Sequence, residues 1–411
     1  MKLAIVTTRF IDGDMRGGEE TVKVLVNNLI HEYEIHLIAS DMLVESYSLN
    51  FGSRNEVSKE RNISNDFEIT YLRSYKFIQK LIELVNKSLI KKIAGNSIFP
   101  EIMNSLGWGP LVPNLFKIIY NNDYDVVHAS IFPTTTALIS YKASLDSKKP
   151  FVFTPYYHYM IPAFSNSILL KSMIKRSSAL IACTNNERLE LIKIGADPNT
   201  TFVIPLSFDT SIIPKDLLPE TKLREKIGLS EYFIVLTHPW VEKGGINVLR
   251  AVALLHNKGH KIALITIGKP SNEYLIEEYN IRSRNPSIKI YDMGWVEGRI
   301  KWEIFSLSDV FALPSKSDAF GLSYLNAWAF SKPIIGAKNT AASDIIDDGI
   351  NGILVDPENT ESISSGLERL LSSNGKDFGK NGMTKLLTKY NPKAMADKYS
   401  EVFQFAFYNK K

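Results

Sequence analysis

The fold of this chain is indicated by one stretch, residues 313–336, which reads LPSKSDAFGLSYLNAWAFSKPIIG. Its apolar beginning predicts a buried strand that ends at Pro314, and the polar residues that follow predict a loop. A helix is predicted to begin near Phe320 and to end before Lys332-Pro333, where the next strand begins. A strand, a loop, a helix and a second apolar strand in this order are typical of a parallel sheet.

The start of this predicted helix has the chemistry of a phosphate site. Backbone N–H groups at a helix N-terminus are free and partly positive, and Gly321 lets a ligand approach them closely. Asp318 precedes the helix and Asn326 lies two turns into it, so both would flank such a ligand. Two interpretations remain open, because Asp318 could equally serve only as the helix cap.

The same alternation extends along the rest of the chain. Continuous apolar runs separated by amphipathic helical stretches predict parallel strands covered on both faces, as in doubly wound α/β domains. The clearest runs are Lys2–Thr7, Tyr33–Ala39, Val126–Ala129, Phe151–Thr154, Ala179–Thr184, Phe202–Pro205, Phe233–Thr237, Lys261–Ile267, Ile288–Tyr291, Val310–Pro314 and Pro333–Gly336.

The alternation is interrupted after Phe202–Pro205 by a stretch that holds Pro214, Pro219 and mixed charge. We therefore predict two Rossmann-like domains, residues 1–206 and 231–391, with residues 207–230 as a linker. Ligands of such sheets bind at the carboxyl ends of the strands, so two ends that face one another would form a cleft. Residues 392–411 are predicted to form a helix that packs back on the first domain.

Length and composition agree with this division. A chain of 411 residues with 45% apolar and 22% charged residues is typical of a globular protein of about two domains. A net charge of +4 is too small to indicate a nucleic-acid partner. The single cysteine, Cys183, is predicted to be a core thiol. Because no export signal occurs and no apolar run approaches the roughly 20 residues of a membrane span, we expect a cytoplasmic protein.

Several common site motifs do not occur in the sequence. It has no Walker A motif and no G-x-G-x-x-G after a strand, which argues against P-loop and standard dinucleotide-binding sites. It also has no H-E-x-x-H helix and no Cys/His cluster, so we expect no zinc site.

The 313–336 stretch resembles the signature of the retaining glycosyltransferases of GT-B architecture, the glycosyl transferases group 1, which reads P-S-x-x-E-x-F-G-L-x-x-x-E-A-x-A-x-G-x-P-V. Other motifs of that family have counterparts in the same order along the chain. They are a glycine-bearing first loop at residues 12–20, Y-D-V-V-H at 124–128, Glu242-Lys243-Gly244-Gly245, Gly294-Trp295-Val296 and D-G-I-N-G-I-L-V at 348–355. The resemblance implies two Rossmann-like domains that face across a cleft.

Members of this family move a sugar from a nucleoside diphosphate to an acceptor, retain its anomeric configuration and usually need no metal. Negative charge grows on the departing diphosphate as the glycosidic bond breaks, so fixed positive groups must stabilise it. The resemblance implies that Lys243 binds phosphate and that Val296 lies at the nucleotide. It also implies that backbone near Gly17 and Gly18 approaches the diphosphate from the first domain.

The resemblance also implies that backbone N–H groups at the start of the helix, those of Phe320, Gly321 and Leu322, bind the diphosphate together with Lys243. The chain departs from the family pattern at two positions of this site. His238 stands where the family has an arginine, which predicts weaker and pH-dependent phosphate binding. Asn326 replaces the carboxylate that grips the ribose and loses a charge-assisted hydrogen bond worth roughly 1–3 kcal/mol. Asp318 keeps the charge of the carboxylate that faces the donor sugar, with a shorter reach.

An aromatic segment of the first domain, FTPYYHY at residues 153–159, follows a strand. It resembles the family loop whose histidine approaches the donor sugar, and we assign that role to His158. The family histidine can also fall where Tyr156 stands. An ordinary aromatic corner of the core is the alternative interpretation.

Residues Lys76–Lys92 predict a basic amphipathic helix, since Lys76, Lys80, Lys87 and Lys91 share one helical face and apolar residues the opposite one. Such a helix is usually only a surface helix. Because acceptors of many related enzymes are linked to lipids, this one could also rest on an anionic membrane surface.

The function that these observations favour is a retaining, metal-independent glycosyltransferase. It would use a UDP- or GDP-linked sugar, need no cofactor, and act on a glycan acceptor that is linked to a lipid. Two alternatives remain: a sugar-nucleotide epimerase of the same architecture, and a catalytically weak binding subunit marked by His238 and Asn326.

Overall fold

A computed structural model of the chain describes residues 1–10, 17–41, 67–74, 109–159, 162–371 and 375–409. The chain divides into two compact units, residues 1–205 with 392–411 and residues 206–391. Over these residues, each unit is built on one parallel sheet, with seven described strands in the first and six in the second. The predicted class, two α/β domains with parallel sheets, is confirmed.

The first unit alternates strands and helices. Up to residue 205 its elements are β1 (Lys2–Val6), α1 (Gly17–Leu29), β2 (Glu34–Ser40), β3 (Glu68–Leu72), α2 (Asn114–Asn121), β4 (Val126–Ser130), α3 (Thr135–Asp146), β5 (Phe151–Thr154), α4 (Pro162–Ser165), α5 (Ile168–Arg176), β6 (Ala179–Ala182), α6 (Asn185–Lys193) and β7 (Thr201–Val203). The strand order is β3-β2-β1-β4-β5-β6-β7. The order reverses between β1 and β4, and this switch point is where such sheets bind ligands.

Both faces of this sheet are buried, as its continuous apolar strands predict. Val126 belongs to one buried apolar cluster and its neighbour Val127 to another, because successive side chains of a strand point to opposite faces. Helix starts are fixed by local hydroxyl groups: Thr134, Ser167 and Thr184 accept hydrogen bonds from the first turns of α3, α5 and α6.

The second unit repeats the pattern on a smaller sheet. A short 3-10 turn at Thr210–Ile212 comes first, and the elements that follow are α7 (Glu220–Lys226), β8 (Phe233–Thr237), α8 (Gly245–Asn257), β9 (Ile262–Thr266), α9 (Asn272–Arg284), β10 (Lys289–Asp292), α10 (Gly298–Leu307), β11 (Val310–Leu313), α11 (Leu322–Trp328), β12 (Ile334–Ala337), α12 (Ala342–Ile345), β13 (Gly352–Val355), α13 (Thr360–Leu371) and α14 (Gly375–Lys389). The strand order is β10-β9-β8-β11-β12-β13, and its switch point lies between β8 and β11.

The last helix, α15 (Pro392–Tyr408), belongs to the first unit. The Tyr399 hydroxyl lies 3.3 Å from Thr154 Oγ1 of β5, and its ring meets the His128 ring edge to face. Burial lowers the pKa of His128 to about 3, so this imidazole is a neutral part of the core.

Residues 207–230, which we predict to be a linker, lie in the second unit and include α7. The Leu223 side chain of this helix is buried, and Arg224 forms a 2.7 Å ion pair with Asp309, the residue before β11. Charged residues of α7 pair with groups outside the helix, which accounts for part of the mixed charge of this segment. Two of the described strands are absent from our predicted runs: β3, an edge strand with a mostly half-buried and partly polar sequence, and β13.

Some predictions fall outside the described residues: the basic segment Lys76–Lys92 and residues 12–16 of the first glycine-bearing loop. Cys183 is buried, and burial raises the pKa of its thiol. Among the described residues, no helix combines the length and the apolarity that crossing a bilayer requires.

Candidate functional site

Two predicted site residues lie together at the switch point of the second sheet. Lys243 follows β8 and Asp318 follows β11, and these strands are neighbours in the sheet. Lys243 Nζ donates a hydrogen bond of 2.6 Å to Asp318 Oδ2, and both side chains remain partly accessible, at 32% and 18%. The structure thus places a cation and a carboxylate where ligands of doubly wound sheets bind.

Two glycines after Lys243 allow its loop to lie this close. Gly244 has a left-handed backbone, φ +79°, and a Cβ there would come within 2.5 Å of the Pro314 carbonyl oxygen. A Cβ on Gly245 would come within 2.2 Å of the His238 carbonyl oxygen. The Glu242 carbonyl also accepts hydrogen bonds from Ser315 Oγ and from the backbone of Lys316. The two loops are therefore packed against one another through their backbones.

Free backbone amides lie beside this ion pair. Helix α11 begins at Leu322, two residues later than predicted, because Gly321 adopts φ +94° and directs the chain into the helix. Within the described part of the chain, the N–H groups of Phe320, Gly321 and Leu322 have no hydrogen-bond acceptor. Phe320 is buried against the Tyr390 ring, which fixes the backbone that carries these groups.

The His238 side chain is held by two neighbours. Its Nδ1 lies 2.8 Å from the Ile267 carbonyl oxygen and its Nε2 lies 3.3 Å from Ser323 Oγ. A carbonyl oxygen can only accept, so Nδ1 carries the proton of the neutral ring and Nε2 accepts from the serine hydroxyl. Burial lowers the pKa of His238 to about 4, with Lys243 and Lys301 acting in the same direction. At neutral pH this ring has no charge and no N–H left for a phosphate.

Asn326 lies in α11 and is 5% exposed. Its Oδ1 has no hydrogen-bond partner among the described residues. A buried amide oxygen without a partner is uncommon and calls for a donor. The predicted ribose hydroxyl would be such a donor.

The loop after β10 joins this edge of the sheet through the loop after β9. The Gly294 carbonyl accepts a 2.7 Å hydrogen bond from Gly268, and Gly268 itself packs beside the His238 ring. Val296 is half-buried in this loop, and Trp295 is 65% exposed. The carboxyl ends of β8, β9 and β10 therefore form one continuous edge.

The first unit assembles the other predicted residues at its own switch point. Gly17 and Gly18 open α1, and a Cβ on Gly18 would lie 3.2 Å from both Ile131 Cδ1 and Tyr156 Cε2. Ile131 and Tyr156 follow β4 and β5, and both have left-handed backbones with φ of 71° and 50°. Such values are uncommon for bulky residues, and strained backbones of this kind cluster at functional sites.

Tyr156 occupies the position beside Gly18, whereas His158 lies two residues further along the same loop and is half-buried. The adjacent Tyr157 N–H donates a 2.6 Å hydrogen bond to Glu187 Oε1. Sequence reasoning missed Glu187, Ser323 and Tyr324. The contact of Glu187 with Tyr157 spans 30 residues of sequence and that of Ser323 with His238 spans 85, so no local pattern reports them. Tyr324 donates to the Leu313 carbonyl at 2.5 Å within the 313–336 stretch itself.

Comparison with known proteins assigns a family domain to each half of the chain. Residues 15–212 match the family model Glycosyltransferase Family 4, and residues 221–385 match Glycosyl transferases group 1. The first half of the chain is therefore similar to family 4 glycosyltransferase domains and the second half to group 1 glycosyltransferase domains.

Curated relatives are identical to this chain at about a quarter of the residues that align. A D-inositol 3-phosphate glycosyltransferase of Xylanimonas cellulosilytica is 27% identical over 50% of this chain and 51% of its own length. The alpha-D-kanosaminyltransferase of Streptomyces kanamyceticus is 26% identical over 48% of this chain and 52% of its own length. The chain thus spans about half the length of these relatives. An uncharacterized glycosyltransferase of Methanocaldococcus jannaschii is 22% identical over 71% of this chain and 80% of its length.

Solved structures share the fold at lower identity. Anabaena HepE in complex with UDP and glucose is 15% identical, with a TM-score of 0.71 and coverage of 98% of this chain and 99% of that one. Sucrose-phosphate synthase from Thermosynechococcus elongatus is also 15% identical, with a TM-score of 0.70 and coverage of 99% of both chains. Together with the two parallel-sheet units, these likenesses show a GT-B-like fold.

Proposed function

We propose that this chain is a retaining, metal-independent glycosyltransferase that transfers a sugar from a UDP- or GDP-linked donor to an acceptor hydroxyl. The observation that carries the proposal is the Lys243–Asp318 pair, which lies at the switch point beside the free N–H groups of residues 320–322. Glycosyltransferase domains in both halves of the chain, and solved structures of the same fold that contain UDP, support it.

The proposed chemistry assigns a task to each group. The diphosphate would accept hydrogen bonds from Lys243 and from the backbone amides of Gly321 and Leu322, which stabilise the charge that develops as the glycosidic bond breaks. Asp318, released from Lys243 when phosphate takes its place, would face the donor sugar. The leaving diphosphate would then accept the proton of the acceptor hydroxyl, so no protein nucleophile is needed.

His238 would support this site through its neighbours. Its neutral ring holds the Ile267 carbonyl and accepts from Ser323, so it would brace the first turn of α11. The permanent charge that the family's arginine supplies would be missing here. We therefore expect Lys243 and the backbone amides to provide most of the phosphate affinity.

Donor binding is tested with a panel of nucleotides and nucleotide sugars that includes UDP, GDP, UDP-glucose and GDP-mannose. Thermal shift reports binding, because a ligand that binds only the folded state raises the apparent stability. Release of nucleotide and free sugar without an acceptor then reports turnover, and retention of configuration is read by NMR of the product. Conversion of one nucleotide sugar into another without release would favour the epimerase, and binding without turnover would favour the binding subunit.

The acceptor side of the proposal rests on sequence alone. We propose a glycan acceptor linked to a lipid, with the basic segment Lys76–Lys92 resting on an anionic membrane surface. Co-sedimentation with anionic and with neutral vesicles tests this placement. A variant with Lys76, Lys80, Lys87 and Lys91 changed to glutamine should lose the preference for anionic vesicles, and an unchanged preference would contradict the membrane role.

A further inference from the structure

Glu187 carries a buried carboxylate, and none of the roles proposed above for the site involves it. It lies in the first turn of α6 and is 1% exposed. Carboxylates are rarely buried without a partner, so its hydrogen bonds indicate what it does. All of the partners described below belong to the first unit.

Glu187 binds two backbone segments at once. Its Oε2 accepts a 2.6 Å hydrogen bond from the Cys183 N–H, just before the helix, which is an ordinary local contact at a helix start. Its Oε1 accepts a second bond of 2.6 Å from the Tyr157 N–H, in the loop after β5. This second bond joins residues that are 30 positions apart in the sequence. Capping the helix does not require it, and it holds the loop after β5 in place.

The loop that it attaches contains the strained residue of the site. Tyr156 immediately precedes Tyr157 and has φ of 50°, a conformation that a bulky residue keeps only when its surroundings impose it. The Tyr156 ring packs on Gly18 at the start of α1. Glu187 on one side and α1 on the other therefore hold the Tyr156 backbone between them.

We propose that Glu187 is a positioning residue that sets the Tyr156–His158 loop against Gly18 at the switch point of the first sheet. It touches no substrate and acts through the Tyr157 N–H. The inference rests on the proposed function, since the loop carries the residues assigned to the donor sugar. Whether Glu187 holds the loop can also be measured without any enzymatic turnover.

The ionisation of Glu187 bears on how well it can perform this task. Burial raises its pKa to about 7, against the lowering effect of the two backbone donors and the Cys183 thiol. The titratable groups that face it are Cys183 before α6, Tyr156 of the β5 loop and Tyr399 of α15. The carboxylate accepts from both N–H groups with full strength, whereas a protonated carboxyl binds one of them weakly. The loop should thus be held best above neutral pH.

Two matched variants separate the loop contact from the helix cap. Glu187→Gln keeps the size of the side chain but presents an NH₂ group to one of the two N–H donors. Thr184→Ala removes the hydroxyl that caps the Glu187 N–H at 3.1 Å and leaves the bond to Tyr157 in place. Both variants weaken the start of α6, and only the first one releases the loop.

The first measurement is hydrogen exchange of the Tyr157 amide by NMR. We expect exchange to be faster by about tenfold or more in E187Q than in T184A, because one buried hydrogen bond is lost only in the former. Equal exchange in the two variants would overturn the proposal.

The second measurement is release of nucleotide from UDP-glucose and GDP-mannose as a function of pH. In the native protein kcat should decrease as the pH falls, with an apparent pKa of about 7, and T184A should show the same decrease. In E187Q this decrease of kcat at low pH should be absent. The kcat of E187Q should be lower by about ten- to a hundredfold while KM stays within about twofold, as misplacement of a loop predicts. Equal losses of kcat in both variants would overturn the role. If the native protein turns over no donor of the nucleotide-sugar panel described above, the proposed function fails, and the exchange of the Tyr157 amide alone decides whether Glu187 holds the loop.

Discussion

Lys243 Nζ lies 2.6 Å from Asp318 Oδ2, although 75 residues separate the two in the chain. The contact joins the loops that follow β8 and β11 at the point where the strand order of the second sheet reverses. Each charge neutralises the other, so a phosphate that binds Lys243 must compete with Asp318. This competition would couple donor binding to the release of a carboxylate toward the sugar.

Removal of the Lys243 ammonium should abolish most of the turnover. We expect Lys243→Ala to lower the rate of nucleotide release by about 100-fold or more, as loss of one preorganised charge-stabilising group does. Lys316→Ala is the matched control, because Lys316 lies in the same region but pairs with the exposed Glu358. Near-normal turnover in K243A would show that the phosphate binds elsewhere.

Replacement of Gly244 by alanine should destabilise the protein more than replacement of Gly228, another glycine with a left-handed backbone. Gly228 has φ +68° with open space around it, so Gly228→Ala should cost about 1–2 kcal/mol of unfolding free energy. Gly244→Ala adds the 2.5 Å approach to Pro314 and should cost about 2–4 kcal/mol and weaken nucleotide binding. Urea unfolding and nucleotide titration check both variants. Similar losses in the two would mean that the loops separate at little cost.

Asn326→Glu should restore a charge-assisted contact to the ribose. We expect nucleotide affinity to rise by about tenfold, whereas the free protein loses about 1–3 kcal/mol because an unpaired carboxylate is buried. Asn326→Asp is the control, since it brings the charge with a shorter reach and should lose stability without gaining affinity. Calorimetric titration together with thermal unfolding measures both effects. Unchanged or weaker binding by N326E would place Asn326 away from the ribose.

The neutral His238 ring should give the protein an acid-sensitive stability. Its pKa is about 4 in the folded state and about 6.5 when unfolded, so the unfolded state binds more protons in between. The stability that this neutral ring contributes should be present above about pH 6.5 and should be lost as the pH falls toward about 4. His238→Gln, whose amide can still donate to Ile267, should show a shallower loss in urea unfolding over this range.

The same pKa changes the expected pH dependence of phosphate binding. An imidazole that titrates near 6.5 would make nucleotide affinity vary around neutrality. With the pKa of His238 at about 4, the affinity for a nucleotide sugar, whose esterified diphosphate does not titrate near neutrality, should stay level between about pH 6 and 8. A titration of nucleotide-sugar affinity in native protein and in H238Q measures this. A rise of affinity toward pH 6 that H238Q lacks would mean that the bound phosphate protonates His238.

Much of the fold could be predicted because its signals are local. Apolar runs such as Phe233–Thr237 and Phe151–Thr154 coincide with strands to the residue. Edge strand β3 was missed because half-buried, partly polar positions produce no continuous apolar run. Prolines and mixed charge predict a linker at 207–230; the structure places α7 there, and its Arg224 and Glu220 pair with Asp309 and Lys332 outside the segment.

The sequence by itself determined the α/β architecture and the candidates Asp318 and Gly321 through periodicity and local pattern, and it indicated Lys243 through the resemblance of its motifs to those of the glycosyltransferase family. Only the tertiary structure decided that Lys243 and Asp318 pair, that the His238 ring has used its proton on Ile267, and that Tyr156 lies against Gly18. The reason is physical: hydrogen bonds and pKa values depend on distance and burial, and the partners here are brought together by strand order rather than by proximity in the sequence.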